Sequence, residues 1–164
     1  MCGLAFSGKT TLARAISARV GAEYVGLDAI NEERGLCGGE GIPGHEWDRT
    51  SLVAVERLGR VLGSGRDVVL DDTLCFRWLR ARYVEAARRH AAEFVLIYVS
   101  TPLSEIYAAM ARNAVTRQRA PIAEDVFREH ARSFEVPSVD EGALVFSRDV
   151  PVDEWLARHV STQD

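Results

Sequence analysis

Eight consecutive residues near the start of the chain, Gly3-Leu4-Ala5-Phe6-Ser7-Gly8-Lys9-Thr10, fit the spacing G-x-x-x-x-G-K-[ST]. That spacing makes a loop whose backbone N–H groups can surround a phosphate while an ammonium and a hydroxyl reach its oxygens. Gly3 and Gly8 let the backbone curl where a Cβ would obstruct. Ser7, Lys9, Thr10 and Thr11 supply donors, and the Thr10 hydroxyl is the expected magnesium ligand. Lys9 is the only lysine among 20 Lys and Arg residues. A chain that uses arginine almost everywhere keeps a compact, flexibly mounted ammonium at the one place where migrating phosphate charge would call for it. Three carboxylates are the next candidates. Asp28 follows one apolar run, and the pair Asp71-Asp72 follows another, where a carboxylate could hold magnesium through water. Adjacent strand side chains point to opposite faces, so one of the pair can face a metal. Arg77 opens the helix after that pair, where a guanidinium could grip an anionic group. Arg112, Arg117 and Arg119 cluster in a polar stretch that ends at Pro121.

These groups need a scaffold that brings them together. Thr10–Arg19 reads as a helix, with Leu12, Ala15, Ile16 and Arg19 at three- and four-residue spacing and Gly21 as its stop. Before the phosphate loop, Met1–Leu4 is a short strand; either the native start lies upstream, or the fold tolerates a clipped first strand. Glu23–Leu27, Asp67–Leu70, Phe94–Val99 and Ala143–Phe146 read as further strands. Helices are predicted from Trp47 to Leu62, Phe76 to His90, Pro102 to Asn113, Ile122 to Phe134 and Val152 to Val160. Residues 35–45 carry five glycines and Pro43, and so form a loop. Strands alternating with helices give a parallel α/β sheet with right-handed crossovers, in one domain spanning 1–164. Such sheets collect ligands at the carboxyl ends of their strands, which is where the Lys9 loop, Asp28 and Asp71-Asp72 all fall.

Composition narrows the partners. The chain has 164 residues, 47% of them hydrophobic, enough for one buried core. A net charge of −4 argues against a broad nucleic-acid-binding face. No apolar run reaches the roughly 20 residues of a membrane span. Three cysteines without a C-x-x-C pair read as reduced thiols of a cytoplasmic protein. With Lys9 the sole lysine, no N-K-x-D base-reading motif exists, which argues against GTPase switching.

With these residues in view, the chain resembles the small P-loop kinases of the gluconate, adenylate and polynucleotide kinase type. Within that group it resembles the branch that phosphorylates hydroxyl groups on varied acceptors, including zeta toxins, chloramphenicol phosphotransferase and seryl-tRNA kinases. The resemblance is carried by Gly3–Thr11, Asp28, Asp71-Asp72-Thr73, the Arg112–Arg119 stretch, and Phe134-Glu135-Val136-Pro137 with Asp140-Glu141. It implies a five-stranded parallel sheet in the order 2-3-1-4-5 between two helical layers, a lid over about 112–121, and use of ATP and Mg2+. It also implies roles. Asp28 would accept the proton of the acceptor hydroxyl, although an Asp between strand and helix is also an ordinary cap over 29–34. Asp72, followed by Thr73, would serve the metal and substrate ahead of Asp71. Arg117 first, then Arg119 and Arg112, would close over ATP. The glycine-rich segment 35–45 sits where the family binds its acceptor. Arg80 reads as part of a solvated helix face, and Trp47, Trp78 and Trp155 as core. The expected activity is ATP-dependent phosphorylation of a small-molecule hydroxyl. A polynucleotide- or tRNA-linked hydroxyl, or ATP binding without transfer, are the alternatives.

Overall fold

The computed structural model describes residues 1–36 and 41–160. In chain order the elements are α1 (Lys9–Val20), β1 (Glu23–Gly26), α2 (Leu27–Glu33), α3 (Gly44–Gly63), β2 (Val68–Asp71), α4 (Arg77–Arg89), β3 (Ile97–Ser100), α5 (Leu103–Thr116), α6 (Glu124–Ser133), β4 (Leu144–Ser147) and α7 (Val152–His159), with a 3-10 turn at Val139–Glu141 before β4. The α/β alternation expected from the sequence is formed. Most boundaries move by a few residues, and the helix expected to end near Asn113 runs to Thr116.

The strands pair as two parallel ribbons. β1 lies against β2 in the register Val25 to Leu70, and β3 against β4 in the register Val99 to Phe146. Residues 1–4 run between the ribbons and make a single parallel bridge, Cys2 to Tyr98, rather than a strand of their own. On one side the Cys2 N–H donates to the Ile97 carbonyl (2.8 Å), and the Val99 N–H to the Cys2 carbonyl (2.8 Å). On the other, the Gly3 N–H donates to the Thr73 carbonyl (3.0 Å).

The two-residue period of the strands sorts their side chains between two cores. Val25, Val68, Leu70 and Tyr98 face a cluster containing Leu27 and Ile30 of α2, Ala54 and Leu58 of α3, and Tyr83 of α4. Tyr24, Val69, Ile97, Val99 and Phe146 face Leu12, Ala13 and Ile16 of α1 and Trp155 and Leu156 of α7. A third, small cluster of Ala5, Ile106 and Phe127 joins the phosphate loop to α5 and α6.

Two expectations about side chains are corrected. Trp155 is core, but Trp78 is 52% exposed, stacked on Phe76 with Arg82 over its ring. Arg80, expected on a solvated face, is 2% exposed, because the segment 135–141 folds back over α4. Its guanidinium grips Glu141 with two bonds (2.6 and 2.8 Å) and donates to the carbonyls of Leu74 (2.9 Å) and Glu135 (3.0 Å).

Candidate nucleotide site

The phosphate loop is built where the ends of β2 and β3 meet the start of α1. Gly3 has φ 148°, and a Cβ there would lie 2.8 Å from the Val99 carbonyl oxygen, so only glycine lets the chain pass this close to β3. Gly8, at φ 99°, turns the chain into α1 and leaves that helix without a side-chain cap. Its first N–H groups and the positive end of its dipole are therefore available to an anion. The Thr101 hydroxyl, just beyond β3, donates to the Ser7 carbonyl (2.9 Å) and ties the loop to the sheet.

Inside the loop the side chains are poised but underemployed. Lys9 is buried, and its Nζ donates to the Leu4 carbonyl of its own loop (2.7 Å). Burial pushes its pKa below the ordinary lysine value. Asp71, Asp72 and Asp28 favour its charge, while Arg119 opposes it. The four groups that act on this ammonium come from the ends of β2 and α5 and from the start of α2, so the crevice draws them together. Ser7 Oγ is buried and has no hydrogen-bond partner among the described residues.

The aspartate pair divides as the pleat requires. Asp71 accepts a hydrogen bond from the Tyr24 hydroxyl (2.8 Å), and burial followed by the Asp71 charge pushes the Tyr24 pKa up. Asp72 accepts from the Thr73 N–H (2.6 Å) through Oδ1, whereas its Oδ2 is buried with no partner among the described residues. Burial raises the Asp72 pKa, opposed by the Thr73 N–H. An orphaned carboxylate oxygen beside a phosphate loop is the acceptor that a hydrated divalent cation would satisfy. Among the described residues no three His, Cys, Asp or Glu side chains gather into an all-protein cage.

Asp28 lies in the first turn of α2, with its side chain 74% exposed and its Oδ2 3.7 Å from an Arg119 nitrogen. The lid stretch is more ordered than its polarity suggests. Arg112 belongs to α5, and Arg117 caps that helix in the left-handed region (φ 50°). The Asn113 side chain, which sequence reasoning passed over, bonds both the Arg119 N–H (3.1 Å) and the Arg119 carbonyl (3.0 Å), closing the turn. Among the described residues no ion pair or side-chain hydrogen bond holds the guanidinium of Arg112 or Arg117. Arg77 is turned away from the loop. It pairs with Asp140 and donates to the Ser138 hydroxyl (3.2 Å), while its backbone N–H donates to Glu135 (2.7 Å). Of the glycine-rich segment, Cys37, Gly38, Gly39 and Glu40 lie outside the described residues.

A family model described as an AAA domain, AAA_33, matches residues 1–137. The chain belongs to this family. No curated protein matches it in sequence. Solved structures share its fold, small P-loop kinases among them. A sugar kinase from Janibacter sp. HTCC2649 superposes with TM-score 0.71 at 17% identity, covering 96% of this chain and 88% of that one. Kti12 from Chaetomium thermophilum, in complex with ADP-AlF3, gives TM-score 0.74 at 17% identity, with 90% and 87% covered. The APS kinase of Mycobacterium tuberculosis, in complex with AMPPNP and APS, gives 0.63 at 15% identity, with 96% and 91% covered. The shared architecture is the α/β fold of P-loop nucleotide-binding proteins. Among the described residues no helix is long and apolar enough to cross a membrane.

Proposed function

We propose that this protein is an ATP-dependent phosphotransferase that moves the γ-phosphate of ATP to a hydroxyl group of a small molecule. The observation that carries this is what gathers at the phosphate loop and its uncapped helix start: the Arg119 guanidinium 4.4 Å from the Phe6 ring centroid and 3.7 Å from Asp28, and the buried, unpartnered Oδ2 of Asp72 next to Thr73, whose carbonyl takes the Gly3 N–H of the loop. Phosphoryl transfer consists mostly of such positioning and charge neutralisation. In this reading Gly3, Gly8, Ser7, Lys9, Thr10 and Thr11 hold the phosphates. Thr10 and Asp72 would hold Mg2+, which would supply neutralisation of phosphate charge. Asp28, exposed at the mouth, takes the acceptor proton. Arg117, Arg119 and Arg112 close over the transferring group. Arg77, engaged by Asp140, holds the segment 135–141 and leaves the acceptor to Asp28 and the segment around 35–45. In this reading residues 1–4, bridged to β3 and bonded to the end of β2, would count as the first strand of a five-stranded order 2-3-1-4-5.

The test is ADP formation from Mg·ATP against a panel of alcohols, sugars, nucleosides, antibiotics and tRNA, repeated with Asp28→Asn. A positioned base contributes about 10²–10⁴-fold. The variant should therefore lose at least about 100-fold in acceptor-dependent turnover while binding ATP as before. Unchanged turnover in Asp28→Asn would remove the base assignment. ATP binding with no acceptor-dependent ADP across the panel would favour a nucleotide-binding protein without transfer.

A further inference from the structure

Phe6 occupies a position in the phosphate loop that its side chain should avoid. Its φ is 61°, in the left-handed region where a bulky residue is a true outlier. The strain is local, and two contacts of the ring accompany it. One is with the small apolar cluster of Ala5, Ile106 and Phe127, which Phe6 flanks together with Tyr107 and Met110. The other is with Arg119, whose guanidinium carbon lies 4.4 Å from the ring centroid, within the range of a cation–π contact. The same guanidinium sits 3.7 Å from Asp28, and the backbone of Arg119 is clamped on both sides by Asn113. An arginine at the end of a polar turn would ordinarily sample many rotamers. Here its backbone, the face of its guanidinium and one of its nitrogens each have an anchor, and the anchor on the guanidinium face belongs to the phosphate loop itself.

We propose that Phe6 is a positioning residue: its ring holds the Arg119 guanidinium at the mouth of the phosphate loop, beside Asp28, before any nucleotide arrives. This rests on the nucleotide-binding reading above. The lid arginine then reaches phosphate oxygens by a short swing from Asp28 and does not have to be ordered from solvent, and its departure frees the Asp28 carboxylate. A backbone strained at Phe6 is the local cost of placing an aromatic face there.

The experiment combines a spectroscopic and a binding readout on the full chain. In wild type the Arg119 Nε–Hε NMR signal should be shifted upfield by the ring current, a shift retained in Phe6→Tyr and lost in Phe6→Leu and Phe6→Gly. The glycine variant accepts the same backbone without strain, so it keeps the loop folded even if leucine does not. Affinity for Mg·mant-ATP should fall about two- to fivefold in Phe6→Gly, the size of an exposed cation–π contact, and further in Arg119→Met, which also removes the phosphate contact. The double variant should be no weaker than Arg119→Met alone. Additive losses, unchanged affinity in Phe6→Gly, or a Phe6→Tyr protein as weak as Phe6→Gly would overturn the proposal. A wild-type protein that binds no mant-ATP would instead count against the nucleotide site, and the ring-current shift would still decide whether Phe6 holds Arg119.

Discussion

Replacing Arg80 by Met keeps most of the stem volume and removes a guanidinium that makes four hydrogen bonds, two to Glu141 and one each to Leu74 and Glu135. Two backbone carbonyls and a mostly buried carboxylate are then left short of donors. Breaking a buried pair in this way costs about 3–5 kcal/mol. Glu141 retains the Ser138 N–H at 2.9 Å, which places the loss near the lower end, about 3 kcal/mol. For a chain of this size that corresponds to a fall in Tm of about 6–12 °C, measured by circular dichroism at pH 7. The acid limb gives a second reading. Arg80 pulls the Glu141 pKa from 4.5 down to about 2, so the pair stabilises fully above the unfolded value and is lost as pH falls towards 2. Wild type should lose stability between about pH 4.5 and 2 more steeply than Arg80→Met. A double variant, Arg80→Met with Glu141→Leu, should recover much of the loss, since an apolar replacement of a buried pair is often neutral. A single-variant loss below about 1 kcal/mol, the worth of a surface pair, or no recovery in the double variant, would refute the claim that this pair is a buried strut. Arg80 also holds the carbonyl of Leu74, a buried residue at φ 45° two places after Asp72, so nucleotide affinity should weaken along with Tm.

Gly3→Ala should lower Tm and abolish mant-ATP binding together. The added Cβ falls 2.8 Å from the Val99 carbonyl, and a non-glycine backbone at φ 148° adds about 1–3 kcal/mol of strain. A variant with wild-type Tm would show that the loop can move away from β3. Lys9→Met should separate binding from stability. Affinity for ATP should drop about ten- to a hundredfold, the worth of a charge-assisted bond, without a fall in Tm. Because the folded pKa of Lys9 lies below the unfolded value of 10.5, wild-type stability should rise as pH climbs towards 10.5, and the variant should lack that rise in a pH series of melting curves.

The phosphate loop, the helix it opens and the parallel α/β alternation were legible because each is a local pattern: fixed glycines, a three-to-four spacing, apolar runs of strand length. The placement of Asp28 and Asp72 just past β1 and β2 is legible for the same reason, as they stand at the ends of such runs. What escaped depends on which distant segment covers which face. Arg80 shares the spacing of its solvated neighbours Arg88 and Arg89, and nothing local marks it as the residue that Glu141, 61 positions later, will cover. Asn113 carries no motif; its role arises only once α5 ends at Thr116 and the chain folds back to Arg119. Asp71 and Asp72 are told apart by Tyr24, whose hydroxyl reaches across from the neighbouring strand to one of them. Phe6 falls at an unspecified position of the loop motif, and a backbone angle leaves no trace in residue spacing.

The bond from Lys9 to the Leu4 carbonyl has a consequence for which anions the loop can hold. An entering ligand must displace a 2.7 Å internal acceptor from a buried ammonium before it gains that charge. A lone monovalent anion would gain one charge-assisted bond there and must set against it the loss of its own hydration. A polyphosphate that also meets the uncapped start of α1 gains several donors for the one it displaces. On the reading proposed above the loop would carry its own threshold: displacing one internal carbonyl would return little to a simple anion and much to a ligand with phosphates in a row.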